Sequence, residues 1–180
     1  MAIDKIWVFA QEVNGAPTSA TLELLTKARS LGGTVKAFVA GDASAIAGAL
    51  GEYGATTAYS TGDLGGNLPG ASLASAMKAV IDGGDSPDLV LFPQSYEGRD
   101  TVARLSVKLD RTVLTNNVDL AVDGDTVKVT TPVFGGNTLV TTTFTGAGPY
   151  LAAFRPKSFP AEAAGGPAAE ITGRVRRGGA

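Results

Sequence analysis

The 180-residue sequence contains no cysteine and no histidine. Without cysteine there are no disulfide staples and no thiol redox chemistry. Without either residue there are no zinc sites built on them and no nucleophile–histidine relay. Acid–base work would have to rest on Asp, Glu, Lys or Tyr. A cationic surplus is missing as well. Lys and Arg number 15 against 17 Asp and Glu, a formal charge of −2, whereas nucleic acid calls for a basic face. No apolar run approaches the roughly 18 residues of a membrane span. Met1-Ala2-Ile3-Asp4-Lys5 lacks the basic-then-apolar layout of a secretory signal. The expectation is a cytoplasmic protein with no nucleic-acid partner and no membrane insertion. Two phosphate signatures are also absent. No Gly-x-Gly-x-x-Gly follows Ala10, and Gly62-Asp63-Leu64-Gly65-Gly66-Asn67 lacks the Lys-Ser/Thr ending of a P-loop and reads as a surface loop. These absences describe a binder or a cofactor frame more than a catalyst by its own side chains.

What is present is a strand–helix alternation on a composition of 44% apolar and 18% charged residues, ordinary for a globular domain. Lys5 to Ala10 has high β propensity, and Asn14-Gly15 with Pro17 turns the chain out of it. Thr18 or Ser19 caps a helix in which Leu24, Ala28 and Leu31 share a face; Glu23 is expected in its first turn, and Gly32-Gly33 end it. Further strands are expected over Thr34–Val39, Thr57–Ser60 and from Leu89. The helices between them are expected over about Ser44–Leu50 and Gly70–Asp82, with another at Arg99–Leu109. Such alternation implies parallel strands joined by right-handed crossovers.

The period changes after Thr112. Val- and Thr-rich runs at 117–122, 126–133, 138–144 and 150–154 are separated by Asp123-Gly124, Gly135-Gly136-Asn137 and Gly146-Ala147-Gly148. They predict antiparallel strands extending the parallel part through the C-terminal third. The expected domain is 1–159, and 160–180 reads as a flexible linker opened by Gly165-Gly166-Pro167 and closed by Arg174, Arg176 and Arg177.

The clearest functional candidate follows the apolar run Leu89-Val90-Leu91-Phe92-Pro93, where Gln94-Ser95-Tyr96-Glu97-Gly98-Arg99-Asp100 leads into a helix. Functional loops of open α/β sheets gather at strand carboxyl ends, and amides at a helix start can face a ligand. Gly98, Arg99, Asp100 and Thr101 are therefore the candidate nucleotide- or partner-facing residues. The plainer reading is a strand–helix connection whose acids favour the helix start. Asp82 with Asp85, and Asp123 with Asp125, read as turn residues. Arg104, Lys108 and Arg111 form a basic stripe, either solvated or facing a partner.

Taken together, these segments resemble the N-terminal domain of the electron-transfer flavoprotein alpha subunit. The resemblance runs from Ile6-Trp7-Val8-Phe9-Ala10 to Phe159. It rests most on Glu97-Gly98-Arg99-Asp100, Leu114-Thr115-Asn116-Asn117-Val118-Asp119, Pro132-Val133-Phe134-Gly135-Gly136-Asn137 and Ala153-Phe154-Arg155-Pro156-Lys157-Ser158-Phe159. It implies a three-layer α/β fold of the adenine nucleotide alpha hydrolase type. It also implies a heterodimer with a beta subunit that commonly binds AMP, one FAD, and electron carriage from flavoprotein dehydrogenases, such as those of fatty acid oxidation, to a respiratory acceptor. The family's FAD is held mainly by a second domain that would begin near Gly173. The chain is thus expected to be a fragment or shortened member that scaffolds the beta subunit, with no FAD residue of its own. Two alternatives stand beside it: a stand-alone AMP- or ATP-binding α/β module, and a self-associating structural domain.

Overall fold

The computed structural model describes residues 3–173. In chain order the strands and helices are β1 (Lys5–Ala10), β2 (Glu12–Val13), β3 (Ala16–Pro17), α1 (Ser19–Ser30), β4 (Thr34–Val39), α2 (Ala47–Glu52), β5 (Thr57–Ser60), α3 (Pro69–Asp82), β6 (Leu89–Pro93), α4 (Tyr96–Leu109), β7 (Val113–Asn117), β8 (Asp119–Asp123), β9 (Thr126–Val133), β10 (Thr138–Thr143), β11 (Tyr150–Phe154) and β12 (Glu170–Thr172). Seven strands form one sheet in the order β12-β5-β4-β1-β6-β11-β7. Every neighbouring pair in it is parallel.

Side chains alternate across β1 with period two, so this one strand feeds two cores. Ile6, Val8 and Ala10 join Leu24, Leu25 and Ala28 of α1 on one face. Trp7 and Phe9 join Leu73 and Met77 of α3 and Val102 and Leu105 of α4 on the other. That double burial is why the central strands read as near-continuous apolar runs. Phe38 sits between two rings, 4.7 Å from Trp7 and 4.6 Å from Tyr59.

Local chemistry explains the helix ends. Thr18 is the N-cap of α1 and accepts from the Thr21 N–H, an interaction worth about 1 kcal/mol. Glu23 lies beyond the first turn, contrary to expectation. It is buried, and its carboxylate accepts the Lys157 N–H at 2.8 Å, so it ties the helix to the chain after β11 rather than complementing the helix dipole. Helix α4 starts earlier than the sequence suggested. Ser95 caps it by accepting the Gly98 N–H, which makes Tyr96 to Asp100 helical.

The C-terminal third divides differently from the expectation. Only β8, β9 and β10 form an antiparallel sheet, in the order β10-β9-β8. Residues 150–154, expected among the antiparallel strands, form β11, which lies parallel between β6 and β7. The small sheet acts as the crossover that returns the chain from β7 to β11 in the same direction, and Leu151 to Phe154 are buried enough for an interior strand. Residues 160–172 run along α1 and α2. Glu162 N–H donates to Thr26 Oγ1, Ala164 N–H to the Glu52 carbonyl and Ala169 N–H to the Ala47 carbonyl. A Cβ on Gly51 would lie 1.9 Å from the Pro167 carbonyl oxygen, so only glycine admits this approach. The segment then enters β12 beside β5. Arg174, Arg176 and Arg177 lie outside the described residues.

Candidate functional site

The chain steps outward from β1 to β4 and β5, then returns to the other side of β1 at β6. The carboxyl ends of β1 and β6 therefore flank the switch point, where open α/β sheets take their ligands. Gln11 follows β1 and Gln94-Ser95 follow β6. Gln11 is anchored by its N–H donating to Thr21 Oγ1 at 2.9 Å, and its side-chain amide donates to Glu97 Oε2 at 3.1 Å. The crevice is thus bridged by the protein's own side chains, with a carboxylate inside it.

Beyond the crevice, Gln94 N–H donates to the Phe154 carbonyl and its Oε1 accepts the Asn116 N–H. Arg155 Nε donates to Asn116 Oδ1 at 2.6 Å. Asn116 has a φ of 65°, in the left-handed region that asparagine tolerates, and the β7–β11 register shifts beside it. Asn117 is fully buried. Its amide donates to the Leu114 and Ala153 carbonyls, and its oxygen accepts from Thr131 Oγ1, which joins β7, β11 and β9. This Asn-Asn pair holds the small sheet to the large one.

The four candidate residues do not converge on a shared cavity. Gly98 is buried, and a Cβ there would lie 2.0 Å from the Pro93 carbonyl oxygen; the glycine lets α4 seat on the end of β6. Arg99 is exposed, its guanidinium 5.1 Å from the Tyr96 ring centroid. Asp100 pairs with Arg104 at 2.8 Å and packs against Gly70 in the first turn of α3, where negative charge complements the helix dipole. Thr101 is fully buried, and its hydroxyl has no hydrogen-bond partner among the described residues. The nearby groove, lined by Leu68, Pro69, Gly70, Tyr96, Glu97 and Asp100, measures about 220 Å³. That is below the roughly 300 Å³ at which small-molecule pockets begin.

The basic stripe divides. Arg104 is taken by Asp100, while Arg111 donates to the carbonyls of Gly148, Leu109 and Asp110. Asp123 is explained by its ion pair with Lys128 at 2.9 Å across the hairpin.

Sequence reasoning missed a charged cluster at the opposite, amino end of the sheet. Asp85, read as a turn residue beside Asp82, accepts from Lys5 Nζ at 3.0 Å, Lys36 Nζ at 2.6 Å and the Tyr59 hydroxyl. Asp82 instead pairs with Lys78 one turn earlier in α3. Partial burial alone would push the Asp85 carboxyl up. Hydrogen bonds from Lys36, Tyr59 and Lys5 outweigh it and hold the group well below the usual carboxylate range. Burial works against the Lys36 ammonium, yet Asp85 raises it overall. Tyr59 is raised by burial and by Asp85 together. Lysines near the starts of two neighbouring strands were the available signal, but only the fold brings a loop carboxylate between them. The cluster clamps β1, β4 and β5 to the turn before β6.

A family model described as the electron transfer flavoprotein domain matches residues 6–175. The chain belongs to the electron transfer flavoprotein family. It is 29% identical over 152 residues to an electron transfer flavoprotein subunit alpha of Syntrophomonas wolfei subsp. wolfei (strain DSM 2245B / Goettingen), covering 83% of this chain and 47% of that protein. The chain thus spans about half the length of the curated relative it matches. Among the described residues no helix is long and apolar enough to cross a membrane.

Proposed function

We propose that this chain is the amino-terminal α/β frame of an electron transfer flavoprotein alpha subunit, supporting a beta-type subunit. In the complete protein FAD would carry electrons from flavoprotein dehydrogenases, such as acyl-CoA dehydrogenases, to a respiratory acceptor. Residues 1–159 carry most of the frame, 160–172 pack back along α1 and α2 to add β12 to its edge, and the part that holds the flavin lies outside these residues. Family membership supports the electron-carrier role. The Gln11–Glu97 contact supports the division of labour.

The residues at the switch point do not fit FAD. Glu97 places a carboxylate at the start of α4, where a pyrophosphate would have to sit, and the Gly98 N–H already serves Ser95. The adjoining groove is too small for a dinucleotide. The flavin's chemistry, reversible one- and two-electron transfer, therefore belongs to protein outside this crevice. The same contact argues against a stand-alone AMP or ATP module. Of the four candidate residues, Arg99 and Asp100 reach solvent, and we assign them to the partner-facing surface.

Co-expression with a beta-type subunit and the remaining part of an alpha subunit tests this reading. The expected result is a stable complex with a yellow chromophore that is absent when this chain is purified alone. Failure to co-purify with any beta-type subunit would sink the scaffold role. A rise in thermal midpoint with AMP or ATP on the isolated chain would revive the nucleotide module.

A further inference from the structure

Asparagine stands at 14, 67, 116, 117 and 137, and glycine follows it at the first of these alone. The next backbone nitrogen can attack an asparagine side-chain amide, and a Cβ on that next residue hinders the attack. Leu68, Asn117, Val118 and Thr138 supply such a Cβ at the other four positions. Asn14-Gly15 forms the two-residue turn of the β2–β3 hairpin, in which Val13 pairs with Ala16 and Glu12 with Pro17. Both turn residues are left-handed, at φ 53° and 81°, the form that Asn-Gly favours. Asn14 is exposed, so water reaches it. The base of the hairpin is fixed. Thr18 N–H donates to the Gln11 carbonyl at 2.9 Å, and Gln11 is held by Thr21 and Glu97.

The nitrogen that would attack is already engaged. The Gly15 N–H donates to Glu12 Oε1. That nitrogen becomes a nucleophile only after giving up its proton, and the resulting anion would face the Glu12 carboxylate. A like charge disfavours an ionised form, and a hydrogen bond made by the neutral form holds it there. Ring closure also needs the nitrogen to approach Asn14 Cγ to about 3 Å, which gives up the bond to Glu12.

We infer that Asn14 is a deamidation site of this chain and that Glu12 restrains it. The Gly15 nitrogen bonds to Asn14 Cγ, the Cγ–Nδ2 bond breaks, and ammonia leaves with the proton that Gly15 gave up. Water then opens the five-membered imide at one of its two carbonyls, leaving aspartate or isoaspartate at position 14. No oxidant or reductant takes part. Either product adds a negative charge beside Glu12. Isoaspartate also routes the backbone through the side-chain methylene, which lengthens the turn and undoes the Val13–Ala16 register. The change stops at Gln11, whose contacts with Thr18, Thr21 and Glu97 lie below the turn. The inference concerns the chain by itself and stands whether or not the flavoprotein reading holds.

The test is peptide mass spectrometry on the full chain held at neutral and mildly alkaline pH, following the tryptic peptide 6–27. The expected result is slow conversion at Asn14 in the folded wild type, ahead of the other four asparagines. Glu12→Ala should speed it at least about tenfold, because a hydrogen bond to a charged group is lost. Glu12→Gln keeps a side-chain acceptor without the charge and should fall between the two. In denaturant the turn is gone, and wild type and Glu12→Ala should convert at the same, faster rate. Asp82-Gly83 and Asp123-Gly124 can close the same imide, but they start as acids and leave the mass unchanged. Folded wild type converting as fast as in denaturant, Glu12→Ala no faster than wild type, or Glu12→Gln as slow as wild type overturns the restraint. Another asparagine converting first, or no conversion at Asn14 even in denaturant, overturns the site.

Discussion

The two larger sheets of this chain treat their surfaces in opposite ways. The seven-stranded sheet is covered on both faces, by α1 and α2 on one side and by α3 and α4 on the other, and Trp7, Phe9, Phe38 and Phe92 are fully buried in it. The three-stranded sheet buries one row, Leu120, Val127 and Val129, and leaves β10 exposed. The large sheet also consumes its own polar groups: Gln11 with Glu97 at the carboxyl end, and Asp85 with Lys5, Lys36 and Tyr59 at the amino end. Stability is therefore concentrated in the large sheet, and the small one contributes an exposed strand.

Substitutions sharpen or break that contrast, beginning with the largest effect. Phe38→Ala removes the ring between Trp7 and Tyr59 and should cost about 4 kcal/mol in chemical denaturation. Gly98→Ala drives a Cβ into the Pro93 carbonyl and should cost about 3 kcal/mol, because α4 must lift from β6. Asp85→Asn strips a carboxylate from two ammonium groups and should cost about 2 kcal/mol.

The Asp85 substitution also carries a pH signature. A folded-state pKa held below the unfolded value stabilises the protein above about pH 4, and that contribution is lost as pH falls through the folded value. The gap between wild type and Asp85→Asn should be flat from about pH 5 to 9 and shrink below about pH 4. Raised Lys36 and Tyr59 work in the other direction. Their contribution is present below about pH 10 and fades as alkaline pH passes their folded values. At the small end, Thr141→Lys should leave the unfolding free energy of the chain within about 0.5 kcal/mol of wild type. A large loss there would mean that β10 belongs to the folded core and the contrast is false.

The sequence made the large sheet legible because burial on both faces writes itself as apolar runs, and Asp123-Gly124 marks the β8–β9 hairpin of the small sheet directly. The direction of 150–154 was not legible. Local β propensity does not say which neighbours a strand finds, and only the crossover through β8 to β10 sets β11 parallel. The candidate site was half legible. Its place at the carboxyl end of β6 follows from strand–helix order, but the Gln11–Glu97 bridge joins positions 86 residues apart. No local pattern signals it. Glu97-Gly98-Arg99-Asp100 carried both the functional and the packing reading, and the close approach of Gly98 to Pro93 gives that glycine a packing reason independent of any ligand. Asp85 escaped for the same reason as Glu97, since its partners come from three other strands or their starts.

Titration of the purified chain with FAD, followed by flavin fluorescence, tests the central claim most directly. The account predicts unchanged fluorescence up to at least stoichiometric concentrations, because the crevice between β1 and β6 is closed by Gln11 and Glu97. Tight one-to-one quenching by this chain alone would contradict it.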